Sequence, residues 1–253
     1  MRRFAFLFLA SVVLLTGFPA PVSALNTGDT TVIVPIIGRF PGVGGSQWRT
    51  DLFIANRSTI SKTLTLTFHV AGAAPLQRSI PIEPFTTLSL ADLVLNTFGL
   101  SNASGQLEIT SSNMSGFESR ARIYNAGSAA GEFGQNVPGL GLRILSRQAY
   151  MFGLSGINGN RVNIGVANPN ATAVSVNLQI NGRTNNSLHS EAFTLQPHQT
   201  LQFNDIFTRF GIAPQADVQV QFFTETALVY GYASEVRNDT GDAIFIFGTS
   251  PNS

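Results

Sequence analysis

Apolar and polar residues alternate with a period of two along most of this chain. The clearest run is Thr63 to Val70, with Leu64, Leu66, Phe68 and Val70 on one face and three threonines opposite. Such alternation marks a strand with one buried face. Thr31 to Ile37, Gln77 to Ile82, Thr86 to Ser89, Gln106 to Thr110 and Phe117 to Tyr124 also read as strands. So do Ala173 to Ile180, Val218 to Phe222, Ala227 to Val236 and Ala243 to Phe247. Gly- and Pro-rich stretches punctuate them, at Phe40 to Ser46, around Gly72 and Pro75, and at Pro84. Twice the period lengthens. Leu90, Leu93, Val94 and Phe98 predict one face of a short helix ended by Gly99, and Phe203, Ile206, Phe207 and Phe210 predict another ended by Gly211.

These elements occur in the same order twice. Trp48 to Asn56 is echoed by Arg161 to Asn168, with Arg49 and Arg161, like Asn56 and Asn168, 112 residues apart (161 − 49 and 168 − 56). Thr50, Leu52 and Ile54 share a face, as do Val162, Ile164 and Val166. At the same offset Leu64 matches Val176 and Leu66 matches Leu178, while Glu83-Pro84 is echoed by Gln196-Pro197 and Asp92 by Asp205. The expected fold is all-β: two tandem immunoglobulin-like β-sandwich domains of about seven strands, each with one short helix. The break at Val137-Pro138-Gly139 sets the domains at 25–140 and 141–253. The period is far above the ~20–50 residues of solenoid repeats, which sets that architecture aside.

The first residues change the picture of location. Arg2-Arg3 precedes the apolar run Phe4 to Leu15, and Val22-Ser23-Ala24 carries small residues where signal peptidase needs them. The run is shorter than the ~20 residues of a spanning helix. A signal peptide over 1–24, cleaved after Ala24, is expected, with the mature protein secreted or periplasmic and without a membrane span. Of 15 Lys and Arg, Arg2 and Arg3 leave with it, so 13 basic face 14 acidic residues, a net of −1. That charge gives no case for nucleic acid. There is no cysteine, so disulfides, thiolate catalysis and cysteine metal sites are excluded and the core alone must hold the fold.

The Val34-Pro35 opening, the Gly-rich loop, Trp48 to Leu52, and Tyr232 to Ser234 with Asn238 to Asp242 resemble the paired β-sandwich modules of secreted bacterial proteins. The resemblance implies architecture and an exported setting. It implies no catalytic residue.

The chemistry-bearing residues are few. His69, His189 and His198 show no His-x-His or His-x₃-His spacing and read as solvated surface histidines, so no metal site and no cofactor is expected. Gly153 to Ile157 misses the last glycine of a nucleophile elbow. Asn238, Asp239 and Asp242 could offer oxygens to calcium, but these residues also make plain hairpin turns. Arg49 with Asp51, and Arg161 with Asn163, read as surface pairing that the fold requires in each copy. Trp48 is in phase with Leu52 and Ile54, so it is expected in the core. Tyr230 and Tyr232 are the candidate ligand-binding residues: one phase of their strand turns both outward, and the other, which is favoured, buries them at the domain junction.

The function expected on these grounds is a non-catalytic exported module in surface structure, adhesion or accessory work, with an unidentified protein or cell-surface partner. A carbohydrate- or peptide-binding protein is the alternative. A secreted hydrolase ranks last.

Overall fold

A computed structural model describes residues 29–42, 45–127 and 131–250. The expected leader, 1–24, and its cleavage point lie outside the described residues. The fold is all-β: 58% of the described residues are strand and 5% helical, in several antiparallel sheets. No helix among the described residues is long and apolar enough to cross a membrane.

The first half contains β1 (Thr31–Pro41), β2 (Gln47–Asn56), β3 (Lys62–Val70), β4 (Leu76–Ile82), β5 (Thr86–Leu90), α1 (Leu93–Asn96), β6 (Ala103–Thr110), β7 (Phe117–Asn125) and β8 (Phe133–Pro138). A two-residue β9 (Leu140–Gly141) follows. The second half contains β10 (Gln148–Leu154), β11 (Asn160–Ala167), β12 (Val174–Asn181), β13 (Ser187–Leu195), β14 (Thr200–Phe203), α2 (Ile206–Phe210), β15 (Val218–Phe223), β16 (Tyr230–Arg237) and β17 (Ala243–Phe247).

Strand order in the halves corresponds position for position. One layer runs β4-β3-β6-β1 in the first half and β13-β12-β15-β10 in the second. The other layer groups β5, β2, β7 and β8, matched by β14-β11-β16-β17. In the first half β1 pairs with β6, β9 and β2, so both layers join in one nine-stranded sheet. Even an irregularity recurs: the register of β1 shifts between Val34 and Ile37, and that of β10 between Met151 and Leu154. In each half the alternating apolar residues of both layers fill one core. Leu52, Ile54, Leu64, Leu66, Phe68 and Leu107 are among the first, and Val162, Ile164, Val176, Leu178, Val220 and Phe222 among the second.

Two asparagines show why Trp48 to Asn56 recurs. Asn56 Nδ2 donates to the carbonyls of Ile60 (2.9 Å) and Glu83 (3.0 Å), and its Oδ1 accepts from Ser58 N. Asn168 does the same to Thr172 (2.8 Å), Gln196 (2.9 Å) and Asn170 N. Both are buried and each ties two turns to the end of a strand. Asp51 and Asn163 also share one task. Their Oδ1 atoms accept from the backbone N–H of Asp92 (2.8 Å) and Asp205 (3.0 Å), the left-handed residues that open α1 and α2.

Two expectations are corrected. Trp48 is half-buried, packed against the first core at its rim, with its indole over Gly42. Strand alternation set its phase correctly, but the core thins at the first residues of β2. Phe203 belongs to β14 and Leu90 to β5 rather than to helices, because they pair with Ile164 and Leu52.

The halves meet over a third apolar cluster. Ile33 on the outer face of β1, together with Leu145, packs against Ala167, Tyr230 and Tyr232. Tyr230 Oη donates to Pro138 O (2.8 Å), Ser234 Oγ to Gln135 Oε1 (2.7 Å) and Thr200 Oγ1 to Pro35 O (2.5 Å).

Candidate functional site

Tyr230 and Tyr232 are each 1% exposed. Tyr232 lies over Gly165, where a Cβ would come within 2.2 Å of its Cζ, and its ring stacks on Phe245 at 5.2 Å. Its hydroxyl donates to Gln202 Oε1 (3.0 Å). Burial pushes both phenols well above the ordinary tyrosine range, with Tyr232 adding to the shift at Tyr230. Neither ring offers a face to a sugar. The same strand pair is built differently in the first half. Register sets Ala167 against Tyr230 and Gly165 against Tyr232, but Ala55 against Glu118 and Phe53 against Arg120.

The Asn238 to Asp242 turn is already engaged. Arg237 donates through Nε and Nη2 to the two Asp239 carboxylate oxygens at 3.1 and 3.0 Å, and Arg161 Nη1 donates to Asn238 Oδ1 at 2.7 Å. These bonds make it a charge-paired hairpin turn.

The junction brings together three residues that the chain keeps far apart. His69 sits on β3, on the face opposite Phe68 and Leu66. Glu108 sits on β6, opposite Leu107 and Ile109. Register aligns Thr67 with Glu108 and His69 with Gln106, so His69 and Glu108 are diagonal neighbours. His198 reaches them from the other half. It follows Pro197 in the turn between β13 and β14, with φ 55°, and Gln199 N donates to Gln196 O across it. A proline followed by a positive φ is a type II arrangement. The first half repeats it at Glu83-Pro84-Phe85, φ 53° at Phe85, so the conformation belongs to the fold and the histidine is the local addition. The turn is held by Asn168 Nδ2 on Gln196 O and by His198 N on Asn170 O (3.3 Å).

His69 and His198 stack with centroids 4.0 Å apart and planes 10° apart. His69 Nε2 lies 2.9 Å from Glu108 Oε2; a carboxylate only accepts, so Nε2 carries the proton. The His69 side chain is 13% exposed and that of Glu108 23%. The His69 hydrogen bond holds the Glu108 carboxyl below its usual range despite partial burial. Burial, aided by the neighbouring His69, holds the His198 imidazole below its usual range. Ligand atoms of the three side chains all lie within 4.8 Å of one another. The expectation of solvated surface histidines is therefore corrected for His69 and His198, and for His189, whose ring stacks on Phe210 at 4.0 Å. The sequence carried no local spacing for this cluster, because strand pairing and the junction assemble it.

A second feature is an open apolar groove of about 380 Å³ between β10 and β17, lined by Tyr150, Phe152, Ile246 and Phe247 among others. Phe152 is 63% exposed and stacks on Tyr150 at 5.8 Å.

No protein-family model matches the chain. No curated protein matches it either. Among solved structures, a Thermotoga maritima protein titled "Crystal Structure of Thermotoga maritima 1070" is similar at 15% identity, covering 44% of this chain and 93% of its own, with a TM-score of 0.36.

Proposed function

We propose that the chain is a non-catalytic exported module of two tandem immunoglobulin-like β-sandwich domains, 25–140 and 141–253, serving a surface-structural, adhesive or accessory role. The observation that supports this most is the filling of the junction. The crevice between two domains is the usual place for a small-molecule or catalytic site. Here Ile33, Leu145, Tyr230 and Tyr232 occupy it, tied by hydrogen bonds from Tyr230, Ser234 and Thr200. A body locked in this way suits a spacer or an adhesive unit better than a hinged enzyme.

The exposed Phe152 and Phe247 along the β10–β17 groove favour a second reading, in which the module binds an extended apolar peptide there.

The test has two arms. Expressed with its leader, the protein should leave the cytoplasm with Leu25 as its first residue; intact Met1 on cytoplasmic protein would remove the exported reading. The purified protein, presented to glycan and protein arrays and to ester, glycoside and peptide substrates, should bind without turnover. Saturable turnover would overturn the non-catalytic assignment. Phe152→Ser abolishing a peptide signal would favour the second reading.

A further inference from the structure

We propose that His69, Glu108 and His198 form a binding site for a zinc-class divalent cation that clasps the two halves of the chain together. The inference goes beyond the functional reading above and stands whether or not the module is exported.

Two imidazoles and one carboxylate are a donor set suited to zinc and its neighbours, and a poor one for calcium or magnesium, which take oxygen ligands. The three side chains come from β3, β6 and the β13–β14 turn, and their ligand atoms share one small volume. The two halves anchor their ligands separately. His69 and Glu108 are fixed by the β3–β6 ladder, and His198 by a turn that Asn168 ties to the end of β11.

The surroundings are under-satisfied in the way a ligand would relieve. His198 Nδ1 is buried and has no hydrogen-bond partner among the described residues. Gln106, register partner of His69 and two residues before Glu108 on β6, is fully buried, and neither its amide nitrogen nor its oxygen has a partner among the described residues. A buried polar atom without a partner is costly, and native proteins keep few of them. Metal sites commonly carry a polar side chain behind the ligands that orients an imidazole. The unpaired Gln106 amide, opposite His69 on β6, is placed for that role.

Binding changes the cluster in defined ways. The proton on His69 Nε2 leaves or moves to Nδ1, and the nitrogen and the Glu108 oxygen that shared it both turn to the cation. One ring rotates out of the stack, because the lone pairs of parallel rings do not converge. With ligands from both halves, the ion ties one half to the other.

The test is a titration of the purified full chain with Zn²⁺ by calorimetry, with Co²⁺ absorbance as a second readout. One equivalent of Zn²⁺ should bind, raise the unfolding temperature and resist excess Ca²⁺. Glu108→Gln and His198→Gln should each weaken binding at least tenfold, and His189→Gln should leave it unchanged. Co²⁺ should give visible bands of nitrogen and oxygen ligation that Zn²⁺ abolishes. Far-ultraviolet spectra establish that each variant is folded. Should His198→Gln fail to fold, the parent's Co²⁺ spectrum and the Glu108→Gln titration still decide. The proposal is overturned by no saturable one-equivalent binding, by equal binding in Glu108→Gln or His198→Gln, or by loss in His189→Gln.

Discussion

Asn56 and Asn168 make the strongest residue-scale argument for what the two matching stretches do. Each satisfies backbone carbonyls from two turns with one amide, in near-complete burial. Asn168→Ala removes those donors and strands the carbonyls of Thr172 and Gln196. It should cost about 2–4 kcal/mol by urea denaturation, since lost hydrogen bonds and unsatisfied carbonyls act together. Asn168→Asp, which keeps an acceptor but has no amide to donate, should recover little of it. Trp48 makes the opposite case. It is half-buried, so Trp48→Ala should cost about 2 kcal/mol, below the ~3–5 kcal/mol of a fully buried aromatic. Its emission should lie between that of buried and free indole and shift red on unfolding. A loss of the full core value would mean that the rim closes over the ring.

At the scale of elements, legibility followed uninterrupted alternation. β3 reads as a strand from sequence because Leu64, Leu66 and Phe68 alternate into the core without interruption. β8 and β13 do not, because neither alternates cleanly: Gly134 to Asn136 interrupt β8, and His189 to Glu191 interrupt β13. β10 was hidden by its register shift and by Gly153 at φ 74°. The candidate cluster was illegible for another reason: its ligands lie on elements that only tertiary pairing brings together. The β11–β16 pair shows how narrowly an element can be tuned. Gly165 leaves room for the Tyr232 ring, and a Cβ there overlaps it. Gly165→Ala should cost about 1–3 kcal/mol through that overlap. A double-mutant cycle with Tyr232→Ala should show the two losses to be strongly non-additive; additive losses would place the strain elsewhere.

At the scale of the whole molecule, the tyrosine-filled junction sets a pH limit. Tyr230 and Tyr232 have folded pKa values raised above the unfolded value near 10. Their contribution is fully present below that value and is lost as pH rises, because the unfolded chain gives up the protons first. Stability should therefore fall above about pH 10, and the phenolate absorbance of these two tyrosines should appear only as the chain opens. Smooth titration of all four tyrosines in a folded chain would contradict the packing. The differing strand pairs of the two halves have a consequence for assembly. Two like units joined front to back could in principle add a third, and a fourth, without end. The second half offers its next neighbour Tyr150 and Phe152 on the strand that corresponds to β1. The neighbour's first half, however, presents Glu118 and an Arg120 guanidinium over Phe53 where the joint uses Tyr230, Tyr232 and Gly165. Bringing Glu118 and its Arg57 partner against an aromatic strip strips that ion pair of water without the tyrosine packing that fills the joint. The joint between the halves should therefore not repeat between chains, and sedimentation of concentrated protein should show no growing filament.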